Sequence, residues 1–280
     1  MKKIIALDIG GTNTRVALIN ENYDVETVLI KDTVTGNRDA FLASVSAIIA
    51  EAIPDLTDVV AIACGVPGRV RIDGYIDALP NVGISQIPLA QYLTSVFHLP
   101  AYVKNDAEVA ALAEANVGPN AHYGSLYFVT VSTGVGGAFT SHGHLTFSSA
   151  EVGHTATKYK GEIYEFEQLC SGTGLRRLCA LNGLEVENSK EFFDLVLAKH
   201  EKALQIYHDW LKMFSEWIKM NQDSFSPEVF AFTGGVFKAK DVFFADLRAA
   251  CPFANLQECG CGQYAGLIGS AVFGFQSCQS

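Results

Sequence analysis

The stretch Lys3-Ile4-Ile5-Ala6-Leu7-Asp8-Ile9-Gly10-Gly11-Thr12-Asn13-Thr14-Arg15-Val16-Ala17-Leu18-Ile19 decides how the chain is read. An apolar run breaks at Asp8 to Asn13, and a second run resumes at Arg15, which predicts two strands joined by a polar, glycine-rich turn. The layout returns at Leu126 to Val131, Ser132-Thr133-Gly134-Val135-Gly136-Gly137, then Ala138-Phe139-Thr140. Two related halves follow, each offering a hairpin whose turn can grip phosphate.

Between and beyond these hairpins the patterns alternate. Helical spacing runs over Asp39 to Ile53 and stops at Pro54; Val59 to Cys64 reads as a strand ending in Gly65-Val66-Pro67-Gly68; Ile87 to Phe97 reads as a helix. Ala101 to Val103 reads as a strand, Ala107 to Ala115 as a helix opening just after Asn105-Asp106, and the stretch Lys190 to Asn221 as helical and amphipathic. Val229 to Phe232 ends in Thr233-Gly234-Gly235, and Tyr264 to Phe275 forms a terminal helix despite its glycines. This alternation defines an α/β protein. At 280 residues a split into two domains with a cleft between them is expected.

Composition narrows the function classes. Hydrophobic residues are 49% and charged ones 18%, which suits a packed globule rather than a disordered chain. The net charge of -10 repels nucleic-acid phosphates and anionic membranes. No apolar run reaches the roughly 18 residues of a membrane helix. The seven cysteines, an odd number with no signal peptide ahead of Lys3, point to reduced thiols in the cytoplasm.

Asp8 to Thr12 has neither the Gly-Lys-Ser/Thr ending of a P-loop nor a dinucleotide fingerprint. Gly10 and Gly11 let backbone N–H groups approach phosphate, Thr12 adds a hydroxyl, and Asp8 at a strand end suits a hydrated Mg²⁺. Thr133-Gly134 forms a second donor-rich turn, and Gly234-Gly235 a third that fits the adenosine; each alone is equally an ordinary tight turn. Asp106 opens a helix, where the dipole favours a carboxylate; it is either an N-cap, with Asn105, or a general base. Glu151-Val152-Gly153-His154 and Glu167 supply carboxylates and an imidazole of the kind that hold sugar hydroxyls, or simply a solvated loop.

In order, these motifs, together with Leu79-Pro80-Asn81, Ala110-Ala111-Leu112-Ala113-Glu114, Ser171-Gly172 and Ala265-Gly266-Leu267-Ile268-Gly269, resemble the ROK sugar kinases, within the fold shared by actin, hexokinase and heat-shock ATPases. The resemblance implies a two-lobed ATPase fold with mixed sheets flanked by helices, residues 1–105 plus 266–280 forming the small lobe and 106–265 the large one. It implies an ATP- and Mg²⁺-dependent hexose kinase and a homodimer. Asp106 matches the base; Asn105, Glu151, His154 and Glu167, with Gly68 and Asn81, match the sugar site. Gly10, Gly11, Thr12, Thr133 and Gly134 match the phosphate turns, and Gly234 and Gly235 the adenosine site.

One departure stands out. Most ROK members hold a structural zinc on the His of Glu-x-Gly-His and three nearby cysteines, whereas His154 to Glu167 contains no cysteine. No zinc is expected, leaving His154 to meet the sugar directly, as in zinc-free bacterial glucokinases, which Leu169 to Leu175 also resembles. Cys259 and Cys261 lack a second pair and read as thiols rather than a metal clamp. Glucose, through its 6-hydroxyl, is the leading acceptor, with N-acetylmannosamine, N-acetylglucosamine, fructose or allose as alternatives. A sugar-sensing repressor of the same family would need an N-terminal helix-turn-helix; a silent sugar sensor would not need Asp8, Asp106 and all three glycine turns.

Overall fold

The structure is a computed structural model that describes residues 1–146 and 151–279. It comprises two compact units, Met1–Ala121 with Gly260–Ser280, and His122–Cys259.

The first unit opens with β1 (Lys3–Ile9), β2 (Asn13–Asn20), β3 (Val25–Asp32), α1 (Arg38–Ala52) and β4 (Val59–Val66). A small hairpin, β5 (Ile76–Leu79) and β6 (Ile84–Ile87), precedes α2 (Leu89–Phe97), β7 (Ala101–Asn105) and α3 (Asp106–Asn116). The sheet order is β3-β2-β1-β4-β7, antiparallel on the β1-β2-β3 side and parallel through β4 and β7. Strand alternation divides β1 between two cores. Ile5, Leu7 and Ile9 pack with Phe41, Val45 and Leu93 on one face, while Ile4 and Ala6 join Ala17, Ala63 and Leu267 on the other.

The second unit contains β8 (Ser125–Val131), β9 (Val135–Ser141), β10 (His144–Leu145), β11 (Ala156–Tyr159), β12 (Glu162–Glu165), α4 (Glu167–Cys170) and α5 (Gly172–Leu181). It continues with α6 (Ser189–Leu197), α7 (Glu201–Phe225), β13 (Val229–Thr233), α8 (Lys240–Ala250) and β14 (Leu256–Glu258). Its sheet, β10-β9-β8-β13-β14, repeats the first in pattern: antiparallel on one side of β8, parallel on the other. The echo read in the two hairpins is thus a repeat of whole sheets. Ala203, Ile206, Tyr207, Trp210, Met213, Phe214, Trp217 and Ile218 form a buried stripe on α7, at the spacing of one helix face. This stripe packs into a core rich in aromatic rings, among them Phe166, Phe193, Phe214 and Phe232.

The closing helix α9 (Ala265–Ser277) returns to the first unit, where it packs on α3, β1 and β4. Its glycines have a physical cause. A Cβ at Gly269 would lie 1.7 Å from the Val109 carbonyl oxygen, so only glycine lets the two helices approach this closely.

Three readings differ from the structure. Helix α3 belongs to the first unit, because it packs on α9, so the division falls at Ala121/His122 and Cys259/Gly260 rather than at 105/106 and 265/266. The helical stretch Lys190 to Asn221 is not continuous: α6 and α7 are separated where Lys199 turns left-handed (φ 58°) and His200 caps α7 by accepting from the Ala203 N–H. Strand β3 escapes detection because it is half-exposed and shows no clean alternation. Among the described residues, no helix is long and apolar enough to cross a membrane.

Candidate active site

Asp106 is held at the first position of α3. Asn105 is the N-cap: its Oδ1 accepts from the Ala107 N–H at 2.9 Å, and its own N–H donates to Glu108 Oε2 at 3.3 Å, a capping box. Asn105 Nδ2 donates to the Gly68 carbonyl at 3.0 Å, which brings two expected sugar residues together and leaves one amide proton for a ligand. Asn105 therefore caps the helix, and the Asp106 carboxylate stands beside the cap at the first position of α3.

The Asp106 carboxylate accepts from the Ala107 N–H at 2.8 Å. The residue is exposed to solvent, yet protein surrounds its carboxyl group on enough sides that desolvation, helped by the negative charge of Asp8 and opposed by the Ala107 bond, pushes its pKa up to about 6. No basic side chain pairs with it among the described residues. An accessible carboxylate with a raised proton affinity is what a general base needs near neutral pH.

Asp8 is the last residue but one of β1, with Arg15 Nη1 across the β1–β2 ladder at 3.7 Å. Burial raises the Asp8 pKa, and Arg15 only partly offsets it. In the turn that follows, the Gly10 N–H donates to Asn13 O (2.8 Å), while Thr33 ties the turn down by donating to Gly10 O and Thr12 O, each at 2.8 Å. The Gly10 amide is therefore engaged, and the donors at this turn that can meet a ligand include the Gly11 and Thr12 amides and the Thr12 hydroxyl. Asn81, in the β5–β6 turn, packs on Gly11, where a Cβ would lie 2.9 Å from its own Cβ.

In the second unit the β8–β9 turn closes through the Ser132 N–H donating to Gly134 O at 2.9 Å, leaving Thr133 exposed at its tip. Glu167, the first residue of α4, accepts from the Val135 N–H at 3.1 Å. Any Cβ at Gly134 or Gly153 would lie 2.7 or 2.8 Å from Glu167 Oε2, so two glycines make room for this carboxylate. The Val152–His154 turn is anchored by Trp217 Nε1 donating to Val152 O at 3.2 Å. His154 places Nδ1 at 2.9 Å from Glu165 Oε2 and Nε2 at 3.8 Å from Glu151 Oε2. Its pKa is raised, foremost by the Glu165 hydrogen bond and further by the charges of Glu165, Glu167 and Glu151. The structure thus joins Glu151, His154, Glu167 and Gly134 in one cluster and adds Glu165.

The third glycine turn lies in the same unit. A Cβ at Gly234 (φ 109°) would fall 2.3 Å from the Val131 carbonyl oxygen, and the Gly235 N–H donates to Ser132 Oγ at 3.0 Å, tying the turns after β8 and β13 together. Beside them opens a cavity of about 480 Å³ lined by Ser132, Thr133, Thr173, Arg176, Asn188 and Lys238 among others. Arg176, Asn188 and Lys238 carry no sequence motif; Lys238 follows the glycine turn directly, its N–H donating to Gly235 O at 3.3 Å, and the packing of α5 and α6 brings Arg176 and Asn188 beside it.

The family model described as ROK family matches residues 4–270. The chain is 24% identical over 273 residues to a glucokinase of Thermotoga maritima, covering 88% of this chain and 86% of that protein. It is 32% identical over 222 residues to an N-acetylmannosamine kinase of Escherichia coli O127:H6, covering 73% of each. A solved ROK hexokinase from Thermus thermophilus aligns over 99% of both chains with a TM-score of 0.86 at 22% identity, a likeness of fold.

Proposed function

The chain belongs to the ROK family, with its two-lobed actin- and hexokinase-like ATPase fold, and we propose that it is an ATP-dependent kinase phosphorylating glucose on its 6-hydroxyl. Asp106 is the base: as the sugar oxygen bonds to the γ-phosphorus and the bond from that phosphorus to the β-bridging oxygen breaks, the hydroxyl proton passes to the Asp106 carboxylate and ADP leaves. Asn105, Glu151, His154 and Glu167, with Gly68 and Asn81, hold the sugar. The Gly11, Thr12, Thr133 and Gly134 turns donate to phosphate oxygens, with Gly10 shaping its turn. Gly234 and Gly235 flank the nucleoside, which the adjacent cavity accommodates.

Asp8 fits a hydrated Mg²⁺: it offers hard oxygen ligands, and its raised pKa reports a carboxylate whose charge Arg15 does not fully balance. Bound there, Mg²⁺ supplies charge neutralisation of the phosphates. The observation that carries the reading is the accessible Asp106 carboxylate, which pairs with no basic side chain among the described residues, beside the Asn105–Gly68 pair.

N-acetylmannosamine is the second acceptor, favoured by the 32% identity to a kinase of that sugar. A coupled ADP assay with MgATP and a panel of hexoses and hexosamines separates the two; no sugar-dependent ADP release from any of them would sink the kinase reading. The seven cysteines, none of them in a disulfide among the described residues, suit the cytoplasm. The functional form is a homodimer, which light scattering after size exclusion tests.

A further inference from the structure

Glu165 belongs to no motif, yet the fold delivers it to His154. The β11–β12 hairpin turns through two left-handed residues, Lys160 (φ 48°) and Gly161 (φ 90°), and pairs Ala156 with Glu165. Its base is fixed three times over: the Phe166 N–H donates to Thr155 O at 2.7 Å, the Glu165 N–H to Gln168 Oε1 at 3.2 Å, and Thr155 Oγ1 to Val152 O at 2.9 Å. Phe166 is fully buried and stacks on Trp217 with ring centroids 4.7 Å apart. With Phe166 anchored in the core, its neighbours Glu165 and Glu167 both reach His154, the nearest ligand atoms of the three lying within 4.8 Å of one another.

We propose that Glu165 is a positioning residue of the sugar site: by accepting the Nδ1–H of His154 at 2.9 Å it fixes the ring's orientation and tautomer, so that Nε2 is the nitrogen presented to a sugar hydroxyl. The inference rests on the assignment of His154 to the sugar. It follows from the donor inventory of imidazole: a neutral ring has one N–H, and the partner of one nitrogen decides the state of the other. His154 and Glu165 are both partly exposed, so the pair contributes little to folding stability and acts instead on where the ring points. Among the described residues the ion-pair neighbour of Nε2 is Glu151, at 3.8 Å and beyond hydrogen-bond range, which leaves this nitrogen open to a ligand.

The test is a double-mutant cycle in the intact protein with the best sugar of the panel. Glu165→Ala raises the sugar KM about tenfold, the order of one hydrogen bond, with the MgATP KM and kcat within about twofold. Glu165→Gln, which keeps an accepting oxygen at this position, recovers part of the loss. Once His154→Ala is in place, adding Glu165→Ala changes nothing further, because the carboxylate acts through the ring. In the sugar-free protein, ¹⁵N-histidine NMR shows Nδ1 of His154 protonated in the wild type, and Glu165→Ala shifts the ring toward the Nε2–H tautomer.

Additive effects in the cycle would overturn the inference, as would an unchanged sugar KM in Glu165→Ala. A concerted fall in kcat, MgATP affinity and thermal stability would show a merely structural role and equally overturn it. So would a stoichiometric divalent metal in the purified protein that Glu165→Ala releases, since the trio would then act through that ion. An unchanged sugar KM in His154→Ala sinks instead the assignment of the histidine to the sugar, and the NMR readout still judges whether Glu165 holds the ring.

Discussion

Asp106 concentrates the chemistry and its cost. A carboxylate in an unfolded chain titrates near 4, whereas this one, in the folded protein, does so at about 6, so the native state binds the proton more tightly between those values. Folding stability contributed by this group is therefore present below about pH 4 and lost as pH rises toward 6. At pH 7.5, Asp106→Asn removes a poorly solvated charge while retaining an oxygen that can accept from Ala107, and its melting temperature should equal or exceed that of the wild type. In the same variant, kcat in the coupled ADP assay falls about 10²- to 10⁴-fold, the usual worth of a general base, with the sugar KM changed only a few-fold. The wild-type kcat/KM for sugar drops as pH falls through about 6, because the protonated carboxyl cannot accept the hydroxyl proton. A flat profile between pH 5 and 7, or near-normal turnover in the variant, would remove Asp106 from the role.

At the scale of elements, α3 is held at both ends. Its N-terminus carries the capping box, and its C-terminal half carries Glu114, 1% exposed, which accepts from Asn120 Nδ2 (2.7 Å), the Gly260 N–H (3.0 Å) and the Cys261 N–H (3.3 Å). Glu114→Ala leaves two backbone donors without their acceptor and should cost about 3 kcal/mol in urea unfolding; a loss under about 1 kcal/mol would mean the loop re-pairs with water. Between those ends, Gly269→Ala forces α9 off α3 against the Val109 carbonyl and should cost about 2 kcal/mol or more by the same measurement. These contacts also explain what was legible in the sequence. Glycine turns after apolar runs, the cap at Asn105 and the seams of buried helices are local patterns, and they were readable. The position of α3 was not, because it depends on a helix starting some 150 residues later in the chain. Glu165 was hidden for a related reason: its neighbour His154 reaches it only once the β11–β12 hairpin has folded back, and a Glu beside Phe166 and Glu167 reads as a solvated strand end. Arg176, Asn188 and Lys238 likewise become one cavity wall only after α5 and α6 pack.

The molecule as a whole is two units with separate cores, and the proposed reaction assigns Asn105 and Asp106 of one and Glu151, His154 and Glu167 of the other to the same sugar. Binding only to the native state stabilises whatever the ligand engages, by about 2.7 kcal/mol at a hundred times the dissociation constant. A saturating sugar should therefore slow amide exchange in both units. The affected amides are predictable: the first turn of α3, where the Ala107 N–H is already shared by Asn105 and Asp106, and the Val135 N–H, bonded to Glu167. Hydrogen exchange with mass spectrometry resolves peptides covering these segments. Tryptophan fluorescence gives a second view, since Trp210 and Trp217, the two tryptophans of the chain, lie in the core of the second unit and report its unfolding alone, whereas circular dichroism reports both units. With sugar bound, the two transitions should both move to higher temperature. Protection confined to the second unit would leave Asp106 without its substrate, and the phosphoryl-transfer role argued for it would fail however well the histidine and glutamate cluster binds sugar.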